Sequence, residues 1–281
     1  MNTINPERAV VDSIWRYPVK SMAGEELAAC RLTERGLLGD RAYALVEKAS
    51  NRAASVRTWA ASLLNYHVRF VSEPQAGAPA PPVRITLPSG ETLTSDQPDI
   101  DERLSALLGR TLTVMTTAPE GLKVEFPRGS LGGAHEKDTE MPLAGGALAG
   151  TFFDYGTVHL VASSTLEHLQ SAYPQGRFDV RRFRPNLVIG LDDEPFIENS
   201  WKRRTVTLGD QVVLRVSIPC PRCVNTTLAQ ADLPLDAGIL RTIAQLNRLD
   251  VGDFGKLPCV GVYADVVKAG VIRRDDIVRW S

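Results

Sequence analysis

Cysteine is scarce in this chain, with four in 281 residues, at positions 30, 220, 223 and 259. That is too few and too scattered for the disulfide framework of a secreted protein, and it points to a reducing compartment. Histidine is as sparse: only His67, His135, His159 and His168 are present, and no two have the spacing of a zinc finger. No apolar run approaches the roughly 18 residues of a membrane span. The opening stretch "MNTINPERAVVDSIWRYPVKS" has no basic segment followed by an uninterrupted apolar one, so no signal peptide or anchor is read there. A cytoplasmic protein with no membrane partner is expected. An excess of one charge is missing too, since 32 Lys and Arg face 33 Asp and Glu for a formal net charge of -1. This removes the general electrostatic case for nucleic acid and leaves room only for a local basic pocket. What remains, 43% hydrophobic and 23% charged residues, is the composition of a globular chain with a full core.

Short strand-like segments dominate. "AVVDSIWRY", "RAYALVE", "HVRFV", "VRITL", "LTVMTT", "TVHLVAS", "NLVIGL" and "CVGVYADVVKAG" carry β-branched and aromatic residues at strand lengths. Gly209-Asp210 separates two alternating runs in "RTVTLGDQVVLRVSI" and suits a hairpin. Helices are expected in "DIDERLSALLG", capped by Asp99 with Glu102 and ended by Gly109. Others are expected in "SSTLEHLQSAY", where Ser164 and Glu167 have capping-box spacing, and in "DAGILRTIAQLNRL". Residues 74–82 read as a surface connection, and residues 127–150 as a long loop, a domain boundary or a site lid. Many short strands joined by turns favour a barrel-rich architecture over a doubly wound sheet.

The stretch "IPCPRCVNTT" places Cys220 and Cys223 three apart at the end of an alternating run. A structural zinc site needs a second pair of ligands that the sequence does not supply. A thioredoxin-like pair should open a helix after a strand, and "VNTTLAQADLP" is a poor helix former. Two buried thiols remain a sound reading. Arg222 between them favours the thiolate form that binds soft metals. The second cluster is "GRFDVRRFRPNLVIG". Arg177 and Arg181 suit a solvated basic face. Arg184, pushed toward extended geometry by Pro185, and Asn186 are better placed to grip an anion. Lys20 and Ser21 in "YPVKS", and Asp40 and Arg41 in "GLLGDRAY", mean little as isolated dipeptides.

Together these pieces are more specific. "YPVKS", "GLLGDRAYALV", "RRFRPNLVIG", "ENSWK…LG" and "CPRCVNTT" stand in the order found in MOSC-domain proteins. The chain resembles the branch that includes the mitochondrial amidoxime reducing component and its bacterial relatives, from about Trp15 through "GVYADVVKAG". The resemblance implies a mixed α/β, β-rich fold with a few peripheral helices. It places a MOSC N-terminal β-barrel-like region at 1–118 and a MOSC β-barrel domain at 119–281.

The same resemblance implies molybdenum–molybdopterin as cofactor, with Cys223 as catalytic residue and thiolate on the metal. Lys20, Ser21, Arg41, Arg184, Asn186 and Arg222 would hold the cofactor, most of them through its phosphate and pterin. Pro221 would contribute through its backbone and Thr157 through its hydroxyl, while Cys220 would be a buried neighbour. Pyridoxal phosphate binding is associated with the family as well. The implied activity is reduction of small N-hydroxylated compounds. Because no C-x₄-C-x₂-C run is present, no iron–sulfur cluster is expected in this chain. Electrons would come from an external flavin, iron–sulfur or haem protein. His135 is a candidate proton donor. The alternative functions are a sulfur-carrier or cofactor-handling protein with a persulfide on Cys223, and a catalytically silent cofactor binder.

Overall fold

A computed structural model of the chain describes residues 9–126, 139–143 and 148–281. Its centre is a large sheet whose neighbours run, in order, Glu25–Leu27, Val10–Arg16, Leu187–Gly190, Val158–Ala162, Lys256–Lys268, Val212–Pro221, Thr205–Leu208 and Val278–Trp280. Most pairs are antiparallel. The parallel pair is Val158–Ala162 with Leu187–Gly190, and parallel neighbours need a crossover. The helices Ser163–Ala172 and Val180–Phe183 supply it. The sheet closes on itself where Val10 bridges Ile277, helped by Val11 N–H donating to Asp276 O at 2.9 Å and Val278 N–H to Ala9 O at 2.8 Å. Closure removes the exposed strand edges that an open sheet would have to protect.

Alternation along the strands fills the interior. Val206 and Leu208, Val212 and Leu214, Val262 and Ala264 all point into one apolar cluster around the fully buried Trp201. A second core, from Val19 to Leu112, lies under the three-stranded sheet His67–Phe70, Val83–Thr86, Thr92–Thr94 and the helix Ile100–Leu108. The β-rich, barrel-based class read from the sequence is the one observed. Pairing also runs across residue 118. Val10–Arg16 belongs to the barrel sheet, and Arg52–Ala53 pairs with Lys123–Phe126.

Local expectations fared unevenly. The 209–211 hairpin forms, joining Thr205–Leu208 to Val212–Pro221, and Gly109 ends its helix in the left-handed conformation. The capping boxes do not form. Asp99 makes no side-chain cap bond. Ser164 lies inside a helix that begins at Ser163, with its hydroxyl buried and unpartnered. Side-chain caps form instead at the helices Val180–Phe183 and Ala237–Leu246, where Arg181 N–H donates to Asp179 at 2.9 Å and Gly238 N–H to Asp236 at 2.8 Å. The expected loop at 127–150 is corrected in part, because Thr139–Pro142 is a strand antiparallel to Lys123–Phe126. His135, the candidate proton donor, lies outside the described residues.

Candidate functional site

Two strand-end features build the site. The strand Val212–Pro221 contains Pro219 and Pro221, which cannot donate to the ladder, and its register against Lys256–Lys268 shifts on both sides of Pro219. The chain leaves the sheet still extended at Cys223 and then turns into a short 3₁₀ segment, Val224–Thr227. Side chains two apart in an extended chain share a face. Cys220 and Arg222 therefore lie together, and so do Pro221 and Cys223. The second feature is the end of the helix Val180–Phe183, where Arg184 takes φ 53° and ψ 45°. The extended geometry expected ahead of Pro185 is thus overturned: Arg184 ends the helix in the left-handed region.

Three predicted site residues share that unusual backbone, with φ of 70° at Ser21, 47° at Arg41 and 53° at Arg184. Each costs roughly 1–3 kcal/mol for a residue other than glycine, and such positions gather at binding sites. All three line a cavity of about 420 Å³ set between the barrel and the second core. Lys20, Asn186, Pro221, Arg222 and Cys223 line it as well. Thr157 does not. Its hydroxyl donates to Ala264 O at 3.4 Å, back into the barrel frame, so the role suggested for it has no geometric support.

Charge in the cavity is one-sided. Lys20, Arg41, Arg57, Arg182, Arg184 and Arg222 line it against a single carboxylate, Asp154, among the described residues. Arg182 is taken up by four backbone carbonyls and is structural. Lys20 Nζ donates to Asp154 Oδ1 at 2.6 Å and to Phe152 O at 3.0 Å. Arg57 reaches Asp154 at 3.3 Å and lines the cavity together with Cys223. Although burial opposes its ionisation, Arg57 and Lys20 hold the Asp154 carboxyl well below the usual carboxylate range. Arg41 pairs with Asp40 behind the cavity wall and lies over the Tyr17 ring at 4.6 Å.

Arg184 is the exposed nerve of this arrangement. Its guanidinium donates to Met22 O at 2.7 Å and lies 4.3 Å from the Tyr17 centroid, and no carboxylate ion pair to it occurs among the described residues. Burial and then the nearby Arg41 charge push its pKa down to about 10. A bound anion would relieve both.

Two predicted side chains are already engaged. Both amide donors of Asn186 are used, on Asp40 at 2.9 Å and Trp15 O at 3.3 Å, and its oxygen accepts from His159 N–H. It fixes Asp40, and through Asp40 the Arg41 guanidinium, and has no donor left for a ligand. Ser21 donates to Ala54 O at 3.1 Å. Arg222 is occupied in part: it donates to Cys220 at 2.9 Å and to Phe183 O at 2.8 Å. Its Nε is buried with no partner.

The thiols separate cleanly. Cys30, Cys220 and Cys259 are buried, and Cys223 alone is partly open and lines the cavity. Burial pushes the Cys30 and Cys259 thiols up to about 12. Among the described residues, no group of three or more His, Cys, Asp or Glu side chains could hold a metal ion. A metal on Cys223 would therefore have to bring most of its own ligands, and the cations around it would take up the charge of the group carrying them.

With this geometry in place, the comparisons fall into line. The MOSC domain family matches residues 149–279, and the MOSC N-terminal beta barrel domain matches residues 8–60. The chain is a MOSC-domain protein. The family is associated with molybdenum cofactor binding, and the cationic cavity with one accessible thiol lies between the two matched regions. Among solved structures, this MOSC protein is similar to YiiM from Geobacillus stearothermophilus at 17% identity, over 45% of this chain and 54% of that one, with a TM-score of 0.32. It is similar to the YUAD protein from Bacillus subtilis at 10% identity over 96% and 93%, with a TM-score of 0.42. A hypothetical protein aligns at 11% identity over 98% and 69%, with a TM-score of 0.40. The chain thus spans about half the length of YiiM. No curated protein matches the chain.

Sequence reasoning missed Arg57, Asp154, His159 and Tyr263, all of which line the cavity. His159 is buried in the strand Val158–Ala162, with Nε2 3.1 Å from Val260 O. Burial, with the Arg222 charge, lowers its pKa to about 3, so it is neutral in the folded protein near pH 7. The unfolded chain takes up that proton as pH falls below about 6.5, and the folded chain does so only near pH 3. This group's contribution to stability is present above pH 6.5 and lost on acidification, with a slope on the order of 1.4 kcal/mol per pH unit. Denaturant titrations from pH 7 to pH 4 are expected to show that slope, and His159→Gln is expected to flatten it. An identical pH dependence in the variant would contradict this.

Proposed function

We propose that the cavity binds molybdenum–molybdopterin and that the protein reduces small N-hydroxylated compounds with electrons from an external flavin, iron–sulfur or haem protein. The observation that carries this is the one partly open thiol standing beside a cavity wall in which six cationic side chains face a single lining carboxylate among the described residues. Soft thiolate suits a soft metal, and planar guanidinium groups suit phosphate bidentately. Cys223 would be the protein's ligand to the metal. Arg184, Lys20, Arg41 and the Nε of Arg222 would hold the anionic part. Pro221 lines the same wall, and its missing N–H leaves only its carbonyl and ring to contribute. When bound, the cofactor would supply oxygen-atom abstraction from an N–OH group.

The chain's own residues prepare that chemistry. Asp154, held ionised, fixes Lys20 and Arg57 at the thiol side of the cavity rather than offering a proton. Burial lowers the pKa of the Lys20 ammonium, and Asp154 opposes the fall. Tyr155, Phe254 and Leu257 close the side next to Cys223 with apolar surface and limit water.

The isolated loaded chain is expected to show no iron–sulfur absorbance and no turnover with reduced nicotinamide alone. Adding a flavin and iron–sulfur reductase system is expected to restore reduction of an amidoxime. Donor-independent reduction by nicotinamide would refute this part of the proposal. A persulfide carrier would also use the accessible Cys223, but it gives the buried cations no ligand. A persulfide assay on Cys223 separates the two.

A further inference from the structure

Cys220 is fully buried and does not line the cavity, yet it is not an idle packing thiol. Its sulfur accepts from Arg222 Nη1 at 2.9 Å. Arg222 is a cavity residue. Arg222 is also held by Phe183 O through Nη2 at 2.8 Å, and its guanidinium lies 5.7 Å from the Phe183 ring centroid. Both terminal nitrogens are therefore fixed from behind, and Nε is left buried without a partner. An unpartnered buried donor is costly unless something arrives to accept from it. The extended backbone explains why Cys220 can do this: residues 220 and 222 lie on one face, so the guanidinium folds back onto the sulfur two residues before it.

We propose that Cys220 is a positioning residue for the anion site, a buried sulfur acceptor that sets Arg222 in the cavity wall so that it is ready for phosphate before the ligand binds. The inference rests on the reading of the cavity as an anion site. Preorganisation of this kind raises affinity by removing the ordering cost from the binding step. A long guanidinium freed at one end would have to be ordered again by the ligand.

The test uses the full apo chain, with inorganic phosphate as the probe, followed by calorimetric titration alongside the thermal midpoint. Cys220→Ala is expected to weaken phosphate binding roughly five- to tenfold, as part of one charge-assisted hydrogen bond is lost. Cys220→Ser, which keeps an acceptor, is expected to stay within about twofold of the parent. Cys259→Ala removes another fully buried thiol, which donates to Leu257 O at 3.3 Å and does not line the cavity. It is expected to lower the thermal midpoint similarly and leave phosphate affinity unchanged. Should Cys220→Ala fail to fold, Cys220→Val fills the volume without an acceptor and is expected to behave as the alanine variant would. Equal phosphate affinity for the parent and the acceptor-free variant would overturn the positioning role. Unchanged affinity in Arg222→Ala would instead overturn the assignment of Arg222 to the anion, a failure of the underlying reading that the other variants would not mimic.

Discussion

Cys223→Ala is expected to abolish reduction of N-hydroxylated compounds, and Cys220→Ala and Cys259→Ala are each expected to retain most of it when activity is expressed per bound molybdenum. The reason is access and ligand chemistry. Cys223 is the partly open thiol of the cavity, whereas Cys220 and Cys259 are fully buried. Loss of the thiolate changes the ligand set of any metal held there, and with it the potential and the open positions. Loss of a buried thiol costs packing, about 1 kcal/mol. Arg184, Lys20 and Arg41 remain in the Cys223 variant, so cofactor can still enter it, and activity is the quantity to compare. Equal activity of Cys223→Ala and the parent at equal molybdenum loading would show that Cys223 is not the ligand. Inactivity of Cys220→Ala alone at equal loading would reverse the assignment of the two cysteines.

The second large effect is expected at Arg184, and it has two parts with opposite signs. Arg184→Ala should lower molybdopterin content sharply, since a charged hydrogen bond to phosphate is worth about 1.5–3 kcal/mol, on the order of tenfold to a hundredfold in affinity. The apo chain, by contrast, should be no less stable than the parent. In the parent, this half-buried side chain lies near Arg41, bonded to Met22 O and set over the Tyr17 ring, with no carboxylate partner among the described residues. Removing that charge offsets the loss of those contacts. Stability given up at a position kept for binding is a common pattern. Pterin content after purification, measured with the denaturant midpoint of the apo form, tests both parts. Full pterin content in the variant would remove Arg184 from the anion site. A large drop in apo stability would make its role structural.

Much of this was legible in the chain, and the reasons for what was not are physical. Strand alternation and the 209–211 hairpin were readable because burial on one face writes a period of two into the sequence. The scattered dipeptides at 20–21 and 40–41 meant little by themselves, and only their order alongside "RRFRPN" and "CPRC" made them informative. The structure then brings Lys20, Ser21, Arg41, Arg184, Arg222 and Cys223 to one cavity. Arg57 and Asp154 were invisible for the opposite reason. "ASVRTWA" and "FFDYG" carry no spacing that calls for chemistry, and their pairing at 3.3 Å joins residues nearly a hundred positions apart. Arg184 lines the cavity, but its backbone is not the extended one expected. The rule for residues before proline describes a preference, and here the end of the helix Val180–Phe183 outweighs it. Asn186 shows the limit of residue-type reasoning. Its amide suits an anion, but three hydrogen bonds to the frame had already used it.

The most direct test of the central claim is molybdenum and pterin content, measured together with alkylation of Cys223, in protein made in a host that synthesises the cofactor. The account predicts about one molybdenum and one pterin per chain, with Cys223 protected from alkylation in the loaded form and reactive after cofactor removal. Absence of both molybdenum and pterin, in a host that loads a known molybdoenzyme under the same conditions, would contradict it.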